Sequence, residues 1–110
     1  MGIGERENSE KVVKRTLIIR PEAEADLAEA YAWYEDRIPG MGSYFLLNID
    51  AAFSSIQKSP EMYPNIYKNV RRCLVRRFPY GVFYMIVDDR VIVVAVFHAK
   101  RNPRRWKDRV

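Results

Sequence analysis

Cysteine and histidine are almost missing from this 110-residue chain, which has one of each, Cys73 and His98. A lone cysteine closes no intramolecular disulfide, so the fold does not rely on oxidation and a cytoplasmic home is expected. One His and one Cys also argue against a zinc site of thiolate and imidazole ligands, and no metal or other cofactor is expected. Glycine is sparse, five in all. Gly40-Met41-Gly42 falls between two helical patterns rather than after a strand, so it is no phosphate-cradling loop. No serine sits on a strand-to-helix elbow where His98 would activate it for acyl transfer. No apolar run approaches the ~20 residues that span a bilayer, so no membrane contact is expected. The opening residues lack the apolar centre of a signal peptide, and Arg6 stands where a myristoylation signal needs Ser or Thr. Residues 1–15 read as a polar, mobile extension, and 16–110 as a single domain.

What the chain does have is segregated charge. Residues 68–77 carry Lys68, Arg71, Arg72, Arg76 and Arg77 with no acid, a local charge of +5. Residues 98–110 also reach +5, and the whole chain is only +5, so the remainder is net −5. Segregated positive charge on a small domain points to a polyanion or an acidic partner. The composition, 48% hydrophobic and 30% charged, is that of a folded domain with one modest core.

The order of elements follows from periodicity. Leu17-Ile18-Ile19 is a short strand. Pro21 suits a first helical turn, and Glu22, Glu24 and Asp26 favour its positive end. Ala23, Leu27, Ala30, Tyr31 and Tyr34 continue that helix to about Arg37. After the breaker Ile38–Gly42, the residues Phe45, Ile49, Ala52, Phe53 and Ile56 trace a second helix that stops before Ser59-Pro60. Residues 21–61 are net −6, a solvated helix face in the plainest reading.

Three β-rich runs follow: 70–78, 81–87 and 90–98. Turns are expected at Pro79-Tyr80-Gly81 and Asp88-Asp89. Val91–Phe97 is apolar on both faces and should be central. Arg71–Arg77 places arginine on both faces, which suits an edge strand or a face kept for a ligand. The fold class is therefore α+β, a strand, a helical hairpin and a three-strand antiparallel meander, with the hairpin packed on one face of a small twisted sheet.

Candidate chemistry lies in the meander. His98 closes the most apolar strand and starts a basic cluster, either as a strand-end histidine or as an acid/base or phosphate contact. The arginines either solubilise an edge, pairing with carboxylates such as Glu29 or Glu35, or join the tail cations in one patch for nucleic acid or an acidic peptide. Tyr84 and Trp106 are offered as stacking surfaces; the alternatives are core for Tyr84 and a cap anchoring the tail for Trp106. Cys73 reads as a small buried hydrophobe.

Several phrases in this order resemble the RelE/ParE superfamily, the toxins of type II toxin–antitoxin (plasmid stabilization) modules. They are Arg20-Pro-Glu-Ala-Glu-Ala-Asp-Leu27, Tyr31-Ala-Trp-Tyr34, Pro60-Glu-Met-Tyr-Pro64, Arg71-Arg72, Arg77-Phe-Pro-Tyr-Gly-Val-Phe-Tyr84, Val96-Phe-His98 and Arg101-Asn-Pro-Arg-Arg-Trp106. The likeness covers about residues 16–106. It implies a small toxin, neutralised in a hetero-oligomer by an antitoxin whose C-terminal segment wraps it. Its target would be DNA gyrase, as for ParE-like members, or ribosome-bound mRNA, as for RelE-like nucleases. The Phe78–Tyr84 hairpin is closer to the ParE-like side. The nuclease alternative, which is metal-independent, would use Arg72, Arg76, His98 and Arg101 for phosphate and proton transfer. Target or nucleic-acid contact would fall to Arg71, Arg77, Tyr84, Lys100, Arg104 and Arg105. A non-toxic basic binding module is the third reading.

Overall fold

The computed structural model describes residues 14–100 and 103–110; the expected N-terminal extension up to residue 13, and also Arg101 and Asn102, lie outside the described residues. The chain runs β1 (Thr16–Ile19), α1 (Pro21–Arg37), α2 (Met41–Lys58), a 3-10 turn (Pro60–Met62), β2 (Asn65–Tyr67), β3 (Val70–Leu74), β4 (Tyr80–Val87), β5 (Arg90–His98) and α3 (Arg104–Lys107). The strands form one sheet in the order β1-β5-β4-β3-β2. β1 runs parallel to β5, and the other neighbours are antiparallel. The expected α+β fold is present, with β5 central. No helix among the described residues is long and apolar enough to cross a membrane.

The helical hairpin forms for local reasons. Pro21 opens α1, with Glu22 and Glu24 in its first turn. Near the end of α1 the Glu35 carboxylate accepts the backbone N–H groups of Gly40 and Gly42, each at 2.9 Å. It thereby caps α2, an anion placed at the positive end of a helix. Gly42 also lets the helices approach: a Cβ there would lie 2.8 Å from the Tyr31 ring and from the Tyr31 carbonyl.

The hairpin lays Ala23, Ala30, Phe45, Ile49 and Ile56 on one sheet face, against Cys73, Val82, Val93 and Val96. Phe45 and Ile56 are fully buried, and each contributes about 1.5–3 kcal/mol by leaving water. Tyr34, Phe45, Phe78 and Tyr80 close one end of this layer, with ring centroids 4.9 to 6.1 Å apart. The opposite sheet face carries Val70, Phe83 and Phe97, and Trp106 of α3 covers it, stacked on Phe83 at 4.5 Å. The tail is thus anchored by Trp106, one of its two expected roles.

Two expectations are corrected. β3 ends at Leu74, and the turn spans residues 75–79 rather than 79–81; Arg77 takes a positive φ of 69° there, while Tyr80 and Gly81 already pair within β4. Nor is β3 the edge strand, because Asn65–Tyr67 pairs along its outer side. That strand escaped detection because three residues hold too little periodicity to read.

Candidate functional site

Within the fold, the candidate cations separate. β-strand side chains alternate between faces, so register decides where each one points. Arg72 pairs with Phe83, and Phe97 pairs with Gly81, so these residues share the sheet face away from the helices. The Arg72 stem crosses Gly81: a Cβ at Gly81 would lie 3.0 Å from its Cγ and 3.1 Å from its Cδ. His98 pairs with Tyr80 and projects from the helical face.

His98 lines an open cleft of about 420 Å³ with Trp33, Tyr34, Pro79, Tyr80 and Lys100. Its Nδ1 accepts the Lys100 backbone N–H at 3.2 Å, and its ring meets Tyr80 edge-on at 5.7 Å. With Nδ1 accepting, the proton of a neutral imidazole sits on Nε2. Arg76 borders a different hollow, between α2 and β3, with Asn48, Ser55, Tyr63 and Cys73. The nuclease set is therefore spread over three places, with Arg101 outside the described residues.

Other candidates are committed to structure. Arg71 donates to the backbone carbonyls of Tyr63 at 2.6 Å and Glu61 at 3.1 Å, tying β3 to the 3-10 turn. Glu35 is engaged at α2, so the anticipated arginine–Glu35 pairing gives way to capping. Tyr84 is fully buried and its hydroxyl donates to the Pro60 carbonyl at 2.5 Å. It has no face to offer a base, and burial pushes its phenol far up. Cys73 is buried with its thiol likewise pushed up, which disfavours the reactive thiolate.

What the structure brings together is the two basic segments themselves. The Lys68 ammonium lies 5.3 Å from the centre of the Tyr67 ring, and Lys107 from the tail lies 4.7 Å from the same ring. Arg105 stands 5.2 Å over Phe97 and lines a hollow with His98, Glu29 and Trp33 at the rim of the sheet. The Arg72 Nε is buried among the described residues with no hydrogen-bond partner. An orphaned donor of that kind costs about 1–3 kcal/mol.

The Asp26–Arg109 clamp was missed in the sequence. Its guanidinium holds the carboxylate at 2.7 and 3.0 Å, and Asp26 also accepts the Val96 N–H at 3.0 Å. Arg109 donates as well to the Val94 carbonyl at 3.0 Å, and bonding to Asp26 holds its charge more firmly. The clamp closes the β5 backbone where β1 has ended and pins the tail across the sheet. One signal was available: Asp26 lies three residues after Ala23 and four before Ala30, on the buried stripe of α1. A carboxylate there requires a partner.

Against known proteins, the model of the ParE toxin of type II toxin-antitoxin system, parDE, matches residues 17–103. Toxin ParE2 of Mycobacterium tuberculosis is 31% identical over 90 residues, covering 81% of this chain and 86% of that one. Among solved structures, the chromosomal ParDE system of P. aeruginosa superposes with a TM-score of 0.69 at 18% identity, over 77% of this chain and 96% of that one. The RelBE2 complex of M. tuberculosis gives 0.56 at 21%, over 78% and 99%. A mutant of E. coli toxin RelE in the free state gives 0.60 at 15%, over 87% and 93%. At those identities the solved structures speak for the fold alone. The family model and the M. tuberculosis relative go further: this chain belongs to the ParE toxin family of type II toxin–antitoxin systems.

Proposed function

We propose that this toxin arrests growth by docking on DNA gyrase and is held inactive by an antitoxin. The observation that carries the reading is the division between His98 and Arg72 across the sheet. Metal-free RNA cleavage requires a group to activate the 2′-hydroxyl beside cations that stabilise the developing charge. Of the four residues expected to form the nuclease set, the three described ones do not converge. His98 opens on the helical face beside Lys100 and Arg105. The half-buried Arg72 lies on the other face, and Arg76 borders a separate hollow. A surface that docks needs no such convergence. An antitoxin partner is supported by the ParDE and RelBE2 relatives, which are toxin–antitoxin systems.

The ribosome-dependent nuclease is kept as a second reading because Arg105 and Glu29 line one hollow with His98, a cation for a phosphate beside an imidazole. Induced expression without antitoxin should stop growth; unimpaired growth would leave the non-toxic binding module. Purified protein should then trap gyrase–DNA cleavage complexes while mRNA in a translation extract stays intact. Codon-phased mRNA cleavage, lost on His98→Ala or Arg72→Ala, would select the nuclease instead.

A further inference from the structure

We propose a nucleic-acid contact site on the open sheet face, where Lys68, Arg104 and Lys107 surround Tyr67 and grip the phosphate backbone without reading sequence. It goes beyond the gyrase reading, because it requires neither gyrase nor an antitoxin.

The β2–β3 hairpin carries the first argument. Tyr67 pairs with Val70, which leaves a two-residue loop, Lys68-Asn69. Lys68 has φ 51°, in the left-handed region. The corresponding position of the β4–β5 loop is Asp88 at φ 58°, a residue type that tolerates this backbone. Lysine does not share that tolerance, and a strained non-glycine residue is a reason to look for function. What lysine supplies there is its ammonium at the protruding corner of an edge strand.

The second argument is convergence. Residues 39 positions apart in the chain place ammonium groups on one ring, at 5.3 and 4.7 Å. A cation resting on a half-buried tyrosine gains only about 0.5–2 kcal/mol, so it leaves readily for an anion. Between these groups lies a hollow of about 330 Å³ lined by Tyr67, Pro103, Arg104, Lys107 and Asp108. Asp108 is its one acid.

The third argument selects the partner. A protein partner wants a desolvated apolar anchor at the centre of the contact. On this face the apolar residues Val70 and Phe83 are buried, and Trp106 lies over Phe83. Ile66, Met85, Ile92 and Val110 are only partly exposed there. Around Tyr67 the cations Lys68, Arg104 and Lys107 outnumber the one exposed acid, Asp108, the pattern that a phosphate backbone with its released counterions rewards.

The test is binding of the purified full chain to a fluorescent 20-base-pair duplex of arbitrary sequence. Anisotropy should show binding at 50 mM salt with a log–log salt slope of about −3, since each phosphate contact contributes about −0.9. Lys68→Glu with Lys107→Glu should weaken it at least about tenfold at that salt. Arg37→Glu with Lys58→Glu, on the helical side and of equal charge change, should alter it less than about threefold. Should the first double variant unfold, Lys68→Gln with Lys107→Gln is expected to give a smaller loss with an unchanged melting curve. Absence of duplex binding overturns the proposal. So does equal weakening by both charge reversals, or tighter binding of poly-glutamate than of duplex of equal charge.

Discussion

On the helical side, carboxylates are occupied with the protein's own groups: Glu35 holds two amides at the start of α2, and Asp26 holds Arg109 and the Val96 amide. On the other side, cations rest on aromatic rings: Lys68 and Lys107 on Tyr67, and Arg105 on Phe97. Charge bonded internally belongs to the fold. Charge parked on a ring stays available to a partner. The acidic side is thus more than the solvated helix face its composition suggests, and among the described residues the basic side is where an outside molecule finds cations resting on rings.

The contrast is broken most severely at Asp26. Asp26→Ala would strand the partly buried Arg109 and the Val96 amide, costing about 3–5 kcal/mol. Urea unfolding measures this, and a loss under about 1 kcal/mol would show that the clamp is ornamental. Arg109→Ala should approach the same loss, because it leaves Asp26, 7% exposed, without its guanidinium partner.

Next is an alkaline effect from the helical-side core. Burial raises the Cys73 thiol above its ordinary 9.0 and the Tyr84 phenol above its ordinary 10.0. The folded state therefore keeps protons that the unfolded chain has already released. Stability from both groups is complete below about pH 9 and is lost as pH rises past these values. Thermal melts from pH 7 to 11 should be level and then fall, and Tyr84→Phe should flatten the upper part. A curve level to pH 11 contradicts the burial account.

A smaller effect is expected at Glu35. Glu35→Ala removes the acceptor for two amides at the head of α2, a capping loss of about 1 kcal/mol. Restoration by Glu35→Gln, which keeps an acceptor oxygen, would locate most of the effect in hydrogen bonding rather than charge. No loss at all would mean that water replaces the carboxylate.

How much of this could be read from the chain depended on the range of each interaction. α1 and most of α2 were legible because Phe45, Ile49, Ala52, Phe53 and Ile56 follow one helical stripe, with Pro21 and Ser59-Pro60 as punctuation. Met41 and Gly42, read as part of the breaker, already belong to α2. β5 was legible from its uninterrupted apolar run. β2 was not, nor was the parallel pairing of β1 with β5, since register between distant segments leaves no local trace. The charge segregation was visible, yet its assignment to faces was not. His98 and Arg72 fall on opposite sides only because Leu74 pairs with Gly81 and Tyr80 with His98. The joining of the two basic segments at Tyr67 depends on α3 folding back over Phe83, a tertiary event.

The smallest expected effect is the one that sharpens the contrast best. If the basic face is free for a partner, reversing its charge should leave the fold nearly untouched. Arg105 is exposed, and its contact with Phe97 is a single cation–ring approach at 5.2 Å. Arg105→Glu should therefore shift unfolding free energy by no more than about 0.5–1 kcal/mol. The same substitution should impair growth arrest if this face meets the target, because it places repulsion where steering charge was. Arg37→Glu offers the matched change on α1, where the guanidinium lies 3.5 Å over Trp33 and bonds the Trp33 carbonyl. A variant that is stable yet non-toxic at 105, beside one that stays toxic at 37, would divide the molecule as its charges do. Equal toxicity in both would move the target surface away from Arg105 and the His98 hollow that it borders.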